Sequence, residues 1–139
     1  MPVERIDYEE AKKAMTTHLQ ADTEAKRPAF ASREKTLVCF VIKDEGEIVA
    51  GINGEIFWHN MHISLFSVHA SYRGRGCGSQ LLQKMEAEAV NHSCRMMYLE
   101  TLSWQAPDFY KKHGFEIVGK LDGYPIAGEC QYYMRKLLV

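Results

Sequence analysis

Residues 71–80 read Ser-Tyr-Arg-Gly-Arg-Gly-Cys-Gly-Ser-Gln, with three glycines in five residues, two arginines and no acid. An apolar stretch precedes this segment. The clearest helical pattern of the chain follows it, with Gly78, Leu81, Leu82, Met85 and Ala89 on one stripe. A strand that turns through glycines into an amphipathic helix leaves few folds open. Glycine lets backbone approach a ligand closely and take dihedrals other residues avoid. The first helical turn offers unpaired N–H groups at the positive end of the helix dipole. Together they form an anion cradle, most naturally for a pyrophosphate. The other reading is a tight strand-to-helix turn that needs glycine for geometry alone.

The surrounding pattern alternates strands and helices. Ala11, Ala14, Met15 and Leu19 predict a helix over 8–25, and the polar stretch 21–35, with Pro28, predicts a short second helix or a loop. Residues 36–44 and 47–58 read as two strands of a hairpin around Glu45-Gly46. A third strand covers about 61–69. There Ile63 and Leu65 share one face while Val68 is out of step, which an extra residue near Phe66 or Ser67, a β-bulge, would correct. A strand buried on both sides would account for the same pattern. A helix over 76–91, a buried strand over 94–102, a short helix within 105–115 and closing strands at 115–121 and 129–138 complete the order. Hairpins combined with strand–helix–strand crossovers imply an α/β fold with a mixed sheet and helices on both faces.

The 139 residues predict one domain over 1–139. Seventeen basic and eighteen acidic side chains argue against a nucleic-acid coat or a polybasic membrane binder. No apolar run reaches the length of about 20 residues that spans a bilayer. The charged start MPVERIDYEEAKK is unlike a signal peptide, and Cys39, Cys77, Cys94 and Cys130 form no CxxC pair, so a cytoplasmic protein with reduced thiols is expected. His59 and His62 lack a third neighbouring ligand, and no metal site is expected.

Two nucleotide readings of the glycine segment are weak. The triphosphate P-loop needs GxxxxGK[ST], and no Lys follows Gly78. The dinucleotide pattern needs to open the first strand–helix unit, whereas three strands come first here. Arg73-x-x-Gly76-x-Gly78 instead resembles the [QR]xxGx[GA] motif of the GCN5-related N-acetyltransferase (GNAT) family. Ala106-x-x-Phe109-Tyr110-Lys111-Lys112-His113-Gly114-Phe115 resembles that family's AxxxYxxxGF block. The resemblance covers about three-quarters of the chain.

The resemblance implies an acetyl-coenzyme A-dependent N-acetyltransferase of the GNAT fold, whose central sheet splays at a bulged strand. Phe66, Ser67 and Val68 would pair through their backbone with pantetheine in the slot. The run Gly74 to Ser79, Cys77 included, would hold the pyrophosphate, with Arg73 and Arg75 adding charge. Cys77 falls where the family often has an aliphatic residue, which points to packing. Ser103 falls where many members have an Asn that contacts pantetheine. Tyr110 matches the tyrosine facing the coenzyme sulfur, where a phenol can protonate the departing thiolate.

Some members carry a base eleven residues before the [QR] position, which is His62 here. A histidine suits that role near neutrality. Glu100, ten residues before Tyr110, is the runner-up, and a water chain is a third route. Residues 36–70 hold one base, Lys43, against Asp44, Glu45, Glu47 and Glu55, which favours a cationic acceptor if they line its groove. A polyamine, an aminoglycoside-like compound, a protein lysine and a peptide N-terminus all stay open. So does a catalytically silent acyl-coenzyme A sensor, which the presence of Tyr110 disfavours. Family members are often homodimers, and no nucleic-acid or membrane partner is expected.

Overall fold

A computed structural model describes residues 1–139 as two compact units, Met1–Glu34 and Lys35–Val139. The first unit is helix α1 (Tyr8–Lys26) and a 3₁₀ turn at Pro28–Phe30. Asp7 caps α1, its carboxylate accepting from the Glu10 N–H at 3.0 Å. Glu9 and Glu10 in the first turn and Lys26 in the last complement the helix dipole. Pro28 cannot continue the helix and starts the 3₁₀ turn.

The second unit holds β1 (Thr36–Asp44), β2 (Glu47–Phe57), β3 (Asn60–Val68), α2 (Cys77–Asn91), β4 (Met96–Leu102), α3 (Pro107–Lys112), β5 (Glu116–Asp122) and β6 (Cys130–Leu137). They form a six-stranded mixed sheet in the order β1-β2-β3-β4-β6-β5. Only β3 and β4 are parallel neighbours. No helix is long and apolar enough to cross a membrane.

Helix α2 lies on one face of this sheet and buries Leu81, Leu82, Met85 and Ala89, the stripe read from the sequence. The core there is rich in sulfur, since Met61, Met85, Met97 and Met134 are all buried. Gly54 makes room for two of them. A Cβ at that position would lie 2.4 Å from the Met61 sulfur and 2.9 Å from that of Met85.

The expected bulge exists, but not at Phe66 or Ser67. Gly54 pairs with Ile63 and Asn53 with Leu65, so Ser64 is the extra residue. The consequence reverses two side chains. Leu65 is 68% exposed, while Phe66 and Val68 pack against the core. The cause is the Phe66 ring, which meets Phe109 and Tyr110 edge-on at centroid distances of 5.9 and 6.2 Å. Burying an aromatic ring among aromatic neighbours outweighs burying the leucine.

The β2–β3 connection is a two-residue turn, Trp58-His59, with positive φ at both positions. That is the turn whose twist matches paired antiparallel strands. It sets Glu55 directly opposite His62.

Candidate functional site

Strands β3 and β4 share a ladder only at Asn60–Met96, Met61–Met97 and His62–Tyr98. Beyond His62 the ladder stops, although β3 runs on to Val68 and β4 to Leu102. The two strands therefore border a slot. His69 N–H donates to Val49 O at 2.8 Å. By antiparallel alternation, Leu65 and Ser67 turn their backbone groups toward β2, and Phe66 and Val68 turn theirs toward the slot. Of the three residues expected to meet pantetheine, Phe66 and Val68 therefore offer backbone to the slot and Ser67 does not. The Val68 carbonyl already accepts from Arg73 Nε at 3.2 Å.

The glycine segment leads from β3 into α2. Gly74 and Gly76 have φ of 76° and 80°, and Gly76 is the N-cap of α2 without any side-chain cap. The first helical bond runs from Gln80 N–H to Gly76 O at 3.0 Å. The N–H groups of Gly74 through Ser79 donate to no protein acceptor. No acid lies in the segment to repel an anion. Arg73 ties the loop to the end of β3, and the Arg75 guanidinium lies over the Tyr72 ring, 5.1 Å from its centroid. Tyr72 in turn donates to Asp44 at the end of β1. That bond to Asp44, ahead of burial, pushes the half-buried Tyr72 phenol up. Cys77 packs against the core, as expected of an aliphatic surrogate.

Helix α3 docks onto the start of α2. Phe109 approaches Gly78 so closely that a Cβ there would lie 3.3 Å from the ring, and His113 Nε2 lies 3.0 Å from Ser79 Oγ. This carries Tyr110 into the core against Phe66, Phe109 and Phe115. Burial pushes the Tyr110 phenol up to about 12. Its hydroxyl has no protein partner and is not sealed from solvent. A phenol in that state keeps its proton at neutral pH and has it free to donate. The Ser103 hydroxyl donates to Glu129 and accepts from Cys130 N–H at 3.1 Å. Its bonding fastens the end of β4 to the start of β6.

On the opposite face of the sheet from α2 lie Glu55, His62, Tyr98 and Glu100, at positions that alternate with core residues along their strands. His62 and Glu100, read from the sequence as rival bases, meet: His62 Nε2 is 2.7 Å from Glu100 Oε2. A carboxylate only accepts, so Nε2 carries the hydrogen. The imidazole stacks on Tyr98 at 4.8 Å and 25°. Glu55 Oε2 lies 3.8 Å from His62 Nδ1. Burial first, then the Glu100 and Glu55 carboxylates, push the Tyr98 phenol up. In the sequence Glu55 stands out only as one of four acids in residues 36–70. The spacing of three residues on either side of the tight turn, 55 to 58 and 59 to 62, is the signal that pairs it with His62.

The sequence model described as "Acetyltransferase (GNAT) family" matches residues 4–115. The chain is 30% identical over 118 residues to Blasticidin-S acetyltransferase of Streptomyces morookaense, covering 77% of this chain and 87% of that protein. The crystal structure of an acetyltransferase from Bacillus cereus ATCC 14579 aligns with a TM-score of 0.89 at 31% identity, over 99% of this chain and 98% of that one. An aminoglycoside 6'-N-acetyltransferase complexed with coenzyme A shares the fold, with a TM-score of 0.67 at 16% identity over 100% of this chain and 98% of that one.

Proposed function

The chain belongs to the GNAT acetyltransferase family and is an N-acetyltransferase, and we propose that it moves the acetyl group of acetyl-coenzyme A directly onto a primary amine of a small molecule or peptide. The observation that carries this reading is the slot. A buried phenol and a run of free N–H groups belong to its α2 side, and a histidine–carboxylate pair stands where the strands part on the other face.

Coenzyme pyrophosphate would sit on the N–H groups of Gly74 to Ser79, with Arg73 and Arg75 adding positive charge. Pantetheine would pair with the slot-facing backbone of Phe66 and Val68. A backbone N–H near the Ser64 bulge would polarise the thioester carbonyl. The His62–Glu100 pair would take one proton from the ammonium form of the acceptor. The freed lone pair attacks the carbonyl carbon, and the tetrahedral intermediate collapses with loss of the thiolate. Tyr110 gives that thiolate its proton. The second proton on nitrogen leaves as the amide forms, so acetyl-coenzyme A and an ammonium yield an amide, coenzyme A thiol and one proton.

The test is thiol release from acetyl-coenzyme A with blasticidin S, kanamycin, spermidine, L-lysine and an alanine-terminated peptide. Release that depends on one of these amines, with the acetylated amine seen by mass spectrometry, supports the reading. Coenzyme A binding without release with any amine would leave a silent acyl-coenzyme A sensor.

A further inference from the structure

We infer that Glu55 anchors the acceptor, holding a cationic primary amine between its carboxylate and His62 Nδ1. This rests on the proposed transfer to an amine and names the class of amine. Glu100 accepts from His62 Nε2 at 2.7 Å, so the neutral imidazole has its lone pair on Nδ1. That lone pair faces the Glu55 carboxylate at 3.8 Å, too far for a hydrogen bond. Two acceptors thus face one another across a gap. An ammonium nitrogen about 2.9 Å from each bridges such a separation, and its several N–H groups satisfy both.

The surroundings favour a cation there. Glu55 and His62 are direct cross-strand partners, so register holds the gap. Stacking on Tyr98 holds the ring from the other side. Across from Tyr98 is Arg135, but its guanidinium is engaged by Glu116, with Nε to Oε1 at 3.0 Å. No lysine or arginine pairs with Glu55 or Glu100, and the Glu55 side chain is 35% exposed. The bound ammonium gives one proton to Nδ1, leaving a neutral amine and an imidazolium flanked by both carboxylates. An uncharged amide or hydroxyl would forfeit the carboxylate contact.

Two experiments test the anchor. In steady-state kinetics with the panel amine that wild type acetylates, Glu55→Gln raises the amine KM about tenfold or more, as expected for a lost charge-assisted hydrogen bond. The acetyl-coenzyme A KM stays put, and Glu55→Asp recovers part of the loss. An unchanged amine KM, or a parallel rise in both KM values, overturns the proposal. The second experiment needs no turnover. Titration of ¹⁵N-histidine-labelled protein with 1,4-diaminobutane shifts the His62 Nδ1 resonance in wild type and needs at least tenfold more diamine in Glu55→Gln. Equal titration in both proteins, or no response in wild type, rejects the anchor even if acetyl transfer itself is found. A response in wild type without thiol release keeps the anchor and fails the transfer reading.

Discussion

The two faces of the sheet at the slot are built from different materials. On the α2 side the candidate binding groups are backbone: N–H groups from Gly74 to Ser79 and the free edge of β3, set against buried aromatic rings. On the opposite face they are side chains, Glu55, His62 and Glu100, partly open to solvent and drawn from three neighbouring strands. A backbone cradle suits a partner that never changes, because its donors are the same whatever the side chains. A side-chain cluster can be re-specified one residue at a time without disturbing the sheet. Under the proposed function, coenzyme binding falls to the first face and acceptor choice to the second, and the contrast can be broken from either side.

The largest effect is expected at Tyr110, the proton donor of the proposed mechanism, which belongs to the backbone-built face. Tyr110→Phe keeps the ring and its packing while removing the proton donor. Its kcat falls on the order of 10²–10⁴ with chemistry rate-limiting, and coenzyme A affinity by calorimetry is unchanged. An unchanged kcat removes the phenol from the mechanism. On the other face, His62→Gln lowers kcat by about 10² or more and likewise spares coenzyme A binding. Glu100→Gln lowers it less, since the imidazole survives without its orienting carboxylate. If Glu100→Gln is the more damaging of the two, the carboxylate is the base and the histidine its support.

Gly76→Asp attacks the cradle alone. No heavy atom lies within 4 Å of a Cβ built there, so packing tolerates it, though the positive φ of 80° strains any side chain. Coenzyme A at 100 times its dissociation constant stabilises wild type by about 2.7 kcal/mol. The variant loses most of that increment, read as the difference in unfolding free energy with and without ligand. A full increment would place the cradle elsewhere.

The smallest effect is a stability difference at alkaline pH. Burial raises the Tyr110 phenol from 10.0 to about 12 in the folded chain. A raised folded pKa contributes stability that is complete below the unfolded value and lost as pH climbs through the folded one. Between pH 9 and pH 11 wild type loses about 1.4 kcal/mol that Tyr110→Phe keeps, since one pKa unit corresponds to 1.36 kcal/mol. Parallel denaturation curves for the two proteins across that range would mean that the phenol is not buried.

How legible these features were depended on how far along the chain their parts lie. The glycine segment, the α2 stripe and the Tyr110 block each occupy a short contiguous stretch. Their signals are dihedral freedom, helix-terminal N–H groups and 3.6-residue periodicity, all properties of local backbone. The strands and their order could be read for the same reason. The His62–Glu100 contact joins residues 38 apart, and the sequence offered them only as rivals. Their meeting depends on a three-residue parallel ladder between β3 and β4, and on its ending at His62. Likewise the phase of β3 showed that a residue must be extra, while its place at Ser64 was set by rings on α3 more than forty positions away. Ser103 stands where the resemblance leads to an Asn, and its hydroxyl is bound by Glu129, 26 positions on, beside the start of the neighbouring strand β6. Side-chain partners across strands follow from register, and register is the outcome of burial summed over the whole sheet, which no single stretch of chain contains.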